Sequence, residues 1–154
     1  MSMLVDLDYE ESLNQIAPEG EYGIRLTKDA VQGISASSQK PMVTCEWEPF
    51  DPPPHVTMDQ IQKCKIMSWI SLQPNALFTL KEVLHAAKSD LICKACNQPY
   101  SAEIDRCPSC QSTKFSADLG VLKQGLEIGA YLKPGRNQKN TRDVTEIVKY
   151  FQRP

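Results

Sequence analysis

Lys63-Cys64-Lys65-Ile66-Met67-Ser68-Trp69-Ile70-Ser71-Leu72 alternates between two kinds of side chain, and Pro74-Asn75 follows almost at once. A period of two over such a run reads as a β-strand, because successive side chains point to opposite faces of the pleat. Cys64, Ile66, Ser68, Ile70 and Leu72 form the face expected to meet a core. Lys63, Lys65, Met67, Trp69 and Ser71 face the other way. After Pro74-Asn75, Leu77, Leu80, Leu84 and Ala87 recur at helical spacing, so a helix is expected there.

Working outward toward the N-terminus, Pro18-Glu19-Gly20 is a turn signal and Tyr22 to Lys28 alternates as a first strand. A Gly- and Ser-rich loop, Gly33 to Lys40, leads to a second strand, Met42 to Glu48. Pro49 is expected to break that strand, and Pro52-Pro53-Pro54 opens a long loop to Gln62. In the other direction Leu126 to Leu132 alternates and Pro134-Gly135 closes it. There Leu126, Ile128, Ala130 and Leu132 would face inward, with Glu127, Gly129, Tyr131 and Lys133 outward. A polar, basic loop from Arg136 to Thr141 precedes a last strand, Asp143 to Phe151. Three strands, one helix and two more strands is the layout of the five-stranded OB-fold. This mainly β Greek-key barrel binds oligonucleotides on an exposed face and its loops. A generic α+β sheet has the same element count.

Between helix and fourth strand lie Cys93-Lys94-Ala95-Cys96 and Cys107-Pro108-Ser109-Cys110, a C-x2-C-x10-C-x2-C pattern. Each C-x2-C turn aims two thiolates at one point, and two turns complete the S4 tetrahedron that zinc favours. Two disulfides would need an oxidising compartment, and a redox C-x2-C would not call for a second pair. An iron-sulfur tetrathiolate fits the spacing too, but rubredoxin-like knuckles are commonly followed by glycine, where this chain has Asn97 and Gln111. One zinc ion held by Cys93, Cys96, Cys107 and Cys110 is the expectation. Four thiolates leave no open position for water or substrate, so the ion would be structural. A zinc deaminase needs H-x-E as well, and neither His55 nor His85 has a Glu two residues on. Cys45 and Cys64 fall in strand-like runs and read as small buried residues.

Charge is unevenly spread. Residues 1–21 hold Asp6, Asp8, Glu10, Glu11, Glu19 and Glu21 with no Lys or Arg, which leaves 13 of the 19 acidic residues to face all 17 basic ones. An acidic leader ahead of a mildly basic body suits a protein that meets a polyanion. The sequence therefore divides into a leader (1–20), barrel strands one to three with the helix (21–91), a zinc-ribbon insert (92–115) and barrel strands four and five (116–154). Its longest largely apolar stretch, Ile66 to Leu72, is interrupted by Ser68 and Ser71 and falls far short of the ~20 residues a membrane helix needs. Met1 to Val5 run straight into Asp6 with no basic segment, so no secretory signal and a cytoplasmic location are expected.

Asp8-Tyr9-Glu10-Glu11, Pro18-Glu19-Gly20-Glu21-Tyr22, Lys40-Pro41-Met42, Lys65-Ile66, Leu72-Gln73-Pro74-Asn75-Ala76 and the terminal Val148-Lys149-Tyr150-Phe151 together resemble a phage family. That family has long been catalogued only as a domain of unknown function, and its members resemble OB-fold single-stranded DNA-binding proteins. The resemblance covers most of the chain outside the insert, and the four cysteines are an addition to that pattern. It implies sequence-tolerant binding of single-stranded DNA in phage replication or recombination, in the cytoplasm of an infected host. Replication or recombination proteins would be its further partners.

Such binding needs cations for phosphates and aromatic faces on which bases stack. Lys63, Lys65 and Trp69 on strand three supply both, as do Tyr131 and Lys133 on strand four. Arg25 on strand one and Arg136, Lys139 and Arg142 around the last loop complete the candidate set. Trp47 reads as core. Two rival functions remain: a zinc-ribbon adaptor that recruits a replication or recombination enzyme, and a small nuclease. No compact carboxylate-lysine cluster, nucleophile motif or phosphate loop supports the enzyme. Glu46, Glu48 and Asp51, split by Pro49, read as a solvated strand edge.

Overall fold

The computed structural model describes residues 3–5, 15–35, 38–137 and 139–154. Asp6, Asp8, Glu10 and Glu11 of the acidic leader, and with them the Asp8-Tyr9-Glu10-Glu11 motif, lie outside the described residues. The chain is mainly β, with one helix: β1 (Gly20–Leu26), β2 (Val31–Ile34), β3 (Pro41–Phe50), β4 (Ile66–Ser71), α1 (Phe78–Ala86), β5 (Asp90–Cys93), β6 (Pro99–Ser101), β7 (Phe115–Ala117), β8 (Glu127–Arg136) and β9 (Asp143–Phe151). All pairings are antiparallel and form two sheets. The larger holds β1 to β4, β8 and β9, and the smaller has the order β6-β5-β7.

β3 organises the larger sheet. Val43, Cys45, Trp47 and Pro49 alternate inward and are buried, while Met42, Thr44, Glu46, Glu48 and Phe50 are half-buried on the other face. β4 pairs with Met42 to Trp47 along one edge. Both β1 and β2 lie along the opposite edge, β1 against Trp47 to Phe50 and β2 against Pro41 to Thr44. Thus β2 continues the path of β1, and Gly33 and Ile34, expected in the Gly33–Lys40 loop, are strand residues paired with Met42 and Pro41. From β1 the sheet continues through β8 to β9. β4 and β9, the two outer strands, approach each other.

Two prolines expected to stop strands do not. β3 runs through Pro49 and β8 through Pro134. Beyond Trp47, β3 has lost β4 and pairs only with β1. Beyond Leu132, β8 has lost β1 and pairs only with β9. Each proline therefore sits where the strand has one paired edge, and its missing N–H costs no ladder bond on the other.

Strand three is shorter than its alternation suggested. Cys64 donates its N–H to the Ile61 carbonyl in a turn, and β4 begins only at Ile66, so Lys63 and Lys65 lie in the lead-in rather than on the pleat. The expected faces hold all the same: Cys64, Ile66 and Ile70 are buried and Trp69 is exposed. The helix starts at Phe78 rather than at Pro74, and buries Leu80, Val83, Leu84 and Ala86. It stops where Lys88 adopts a left-handed backbone (φ 58°) and Ser89 donates to the Leu84 carbonyl.

Trp47 is wholly buried, as expected, and its indole N–H donates to Ser68 Oγ at 2.8 Å. Thr145, a buried polar residue of β9, accepts from the Ala17 N–H at 3.1 Å and lies 3.3 Å from Cys64 Sγ. On the outer face Phe50, Gly23, Gly129 and Phe151 form one row across four strands. The two rings lie over the glycines, where a Cβ would come within 2.6 Å of Phe50 and 2.3 Å of Phe151. Gly129 was expected to face solvent. It is buried, because the Phe151 ring covers it. No described helix is long and apolar enough to cross a membrane.

Candidate metal centre and nucleic-acid face

The smaller sheet begins at Asp90 and ends at Ala117, slightly wider than residues 92–115. Its two C-x2-C turns repeat one set of backbone bonds. Cys93 N–H donates to the Gln98 carbonyl and Asn97 N–H to the Cys93 carbonyl. In the second turn Cys107 N–H donates to the Ser112 carbonyl and Gln111 N–H to the Cys107 carbonyl. Asn97 (φ 61°) and Gln111 (φ 65°) take the left-handed conformation that glycine supplies in other knuckles. Asparagine does this readily; glutamine does so at some cost.

These turns bring all four sulfurs within 4.8 Å of one another, with Cys93–Cys110 at 3.5 Å and Cys96–Cys107 at 3.6 Å. Four thiolates ~2.3 Å from a central ion stand roughly 3.8 Å apart, so the group can hold one metal ion. Backbone N–H groups already point at the sulfurs. Donation from Cys96 N–H, and from Ala95 N–H, holds the Cys93 thiol down at about 6. Despite donation from the N–H groups of Gln98 and Ser112, Cys96 and Cys110 are pushed up by burial and by neighbouring sulfurs. The opposed directions express one fact: four clustered thiolates repel one another unless a cation sits among them. Cys45 and Cys64 are no part of this. Both are buried in the larger sheet's core, and burial pushes their thiols up, Cys45 to about 11.

The nine candidate nucleic-acid contacts divide by what they touch. Lys63, Lys65, Lys139 and Arg142 are exposed and form no ion pair among the described residues. Trp69 stands 62% exposed on β4. The other four are occupied by acids. Arg25 pairs with Glu48 at 3.2 Å and Glu127 at 3.5 Å, and its guanidinium stacks 4.4 Å from the Phe50 ring centre. Tyr131 donates its hydroxyl to Glu19 at 2.7 Å, and that bond raises its pKa. Lys133 lies 3.9 Å from Glu146. Arg136, inside β8 rather than in the loop, bonds Asp143 at 2.8 Å. The Cys64–Thr145 contact joins the lead-in of β4 to the start of β9, so Lys63, Lys65 and the loop bearing Lys139 and Arg142 share one end of the sheet. Sequence reasoning missed Lys40, which lies beside Trp69. It also missed Phe50, Phe151 and Arg153 of the glycine row. Arg153 stacks on Phe50 at 4.6 Å and donates to Asp51. Lys40 stood in the sequence only within the Lys40-Pro41-Met42 motif, since its place beside Trp69 depends on the β2–β3 hairpin.

Compared with known proteins, the chain matches no family model and no curated protein sequence.

Proposed function

We propose that the protein binds single-stranded DNA on the outer face around β4, and that its larger sheet is an OB-fold barrel. One observation carries the functional reading: Lys63 and Lys65, with no ion pair among the described residues, lead into a strand from which Trp69 projects into solvent. That is the pairing of phosphate-seeking charge and stacking surface that strand-tolerant binding uses. The barrel reading is supported by the sheet order. With β1 and β2 taken as one interrupted strand, the path is β4-β3-β1-β8-β9, and β4 comes near β9 where a barrel would close. The helix sits between third and fourth barrel strands, as in the OB layout. We take the tetrathiolate ion to be one structural zinc, with the insert stapled onto the barrel. The protein would act by binding rather than by catalysis, in phage replication or recombination, the setting its sequence resemblance implies.

The deciding experiment is a salt titration of affinity for oligo-dT, a matching duplex and a matching RNA. The reading requires the tightest binding to oligo-dT, with log K falling linearly in log salt. Salt-independent binding, or none, overturns it.

A second reading, a zinc-ribbon adaptor, is favoured by a groove of about 920 Å³ between α1 and the insert. Leu72, Leu77 and Phe115 line it, and Phe78 stands 78% exposed at its edge. A protein partner seated there would leave the β4 face without DNA affinity under the salt titration.

A further inference from the structure

A second, much smaller recess of about 160 Å³ opens beside Trp69, between the β2–β3 turn and the end of β4. At ~30 Å³ per water in the liquid, it holds about five waters, roughly the bulk of one nucleobase and less than that of a base pair. Its composition is selective. Trp69, with Met42 and Pro41, gives an apolar wall suited to a flat ring. Among the described residues no acidic side chain lines it, so an anion attached to that ring meets no repulsion from them.

Its polar edge comes from the residues that follow β4. Gln73 donates its backbone N–H to Ser71 Oγ at 3.1 Å, which fixes the turn, while its side-chain amide has no partner among the described residues. An amide carries a donor and an acceptor side by side, the pattern that matches two adjacent groups on a base edge. Lys40, exposed and without an ion pair among the described residues, stands at the rim. We propose that this recess seats one nucleotide of the bound strand, its base stacked on Trp69, its edge read by Gln73 and its phosphate met by Lys40. This rests on the single-stranded DNA reading and adds to it: binding is not fully indifferent to sequence, because one position is read.

The test uses the full chain with homopolymers of dT, dC and dA of equal length. Wild-type affinities should differ among the three by about fivefold, the low end of what one bidentate contact discriminates. Gln73→Ala should bring the three together with salt slope and melting temperature unchanged. Lys40→Ala should weaken all three and lower the slope by roughly one phosphate contact. If all three bind but the ratios survive Gln73→Ala, the recess is overturned and the DNA reading stands. If none binds, the DNA reading falls. The recess is then judged on deoxynucleoside 5′-monophosphates, whose failure to shift the Trp69 indole N–H signal, with inorganic phosphate as control, overturns it too.

Discussion

In the larger sheet Ile24, Leu26, Trp47, Ile66, Ile70, Ile128 and Leu132 are all essentially inaccessible to solvent and belong to one hydrophobic cluster with Leu80, Val83 and Leu84 of the helix. Between Asp90 and Ala117 the corresponding inventory is Leu91, Tyr100, Ala102 and two of the four clustered cysteines. The first region holds itself together by removing apolar surface from water, at roughly 25 cal/mol per Å². The second is too short for that. Chains below about 40 residues rarely fold without disulfides, metal or a partner surface, and three strands of three or four residues bury too little. Leu91, Tyr100 and Ala102 join the larger core, but what that short set cannot hold the sulfur cluster must, so metal removal should unfold the insert and spare the larger sheet.

The sharpest way to break this contrast is to remove a ligand. Cys107→Ser should abolish metal binding and unfold the insert, since apparent binding free energies of structural zinc sites are about 10–16 kcal/mol and count as folding energy. Metal content per chain and amide exchange read the result. Wild type should carry one zinc, and the variant should lose protection in β5 to β7 while β1, β3 and β8 keep theirs. Simultaneous loss of protection in both sheets would show one cooperative unit and end the comparison.

The converse variant acts on the other region. Ile66→Ala removes a fully buried side chain from β4 and should cost about 2–5 kcal/mol in urea unfolding. Its zinc content should stay at one per chain.

What could be read from sequence tracks this same division. The clustering of Cys93, Cys96, Cys107 and Cys110 was legible from their spacing, because each C-x2-C turn is a local structure that aims two sulfurs at one point. β9 was legible in full, Asp143–Phe151, because its flanks are polar and no proline falls inside it. The buried residues Ile66 and Ile70 were legible from alternation. The errors cluster where a residue's effect depends on its neighbours in space. Pro49 and Pro134 are strand-breaking only if both edges are paired, and the sequence does not say how far β4 and β1 extend. The hairpin of β2 looked like a loop because Gly33 and the serines outweigh four residues of pairing. For the candidate site, charge and aromaticity named Lys63, Lys65 and Trp69. The engagement of Arg25, Tyr131, Lys133 and Arg136 by acids follows from register and could not be seen.

That split among candidates predicts unequal effects within the larger sheet. Trp69→Ala should weaken single-stranded DNA binding by about 1–3 kcal/mol with little change in salt slope, since it removes a stacking face and no charge. Its melting temperature should stay near wild type, because the indole is largely exposed. Lys65→Ala should lower the slope by roughly one phosphate contact, whereas Arg25→Ala, already neutralised by Glu48 and Glu127, should change it less. A larger slope change for Arg25→Ala would move the binding face from β4 to β1 and β8.

The smallest effect belongs to the acidic leader, and it follows from charge alone. Replacing Asp6, Asp8, Glu10 and Glu11 by their amides removes four negative charges from a segment with no Lys or Arg. The segment joins the described chain at Gln15, whose side chain accepts from Lys63 N–H at 2.7 Å. Gln15 therefore fixes the described end of this segment beside Lys63, an exposed cation with no ion pair among the described residues. Neutralising the four acids should tighten oligo-dT binding at low salt by about 0.2–1 kcal/mol, the usual range for exposed charge pairs. The gain should fade above 0.1 M salt, where the screening length drops below about 10 Å. Equal affinity of wild type and variant at 20 mM salt would make the leader electrostatically silent. An undiminished gain at high salt would point instead to a direct contact, because screening weakens a field between exposed charges far more than it weakens a desolvated pair.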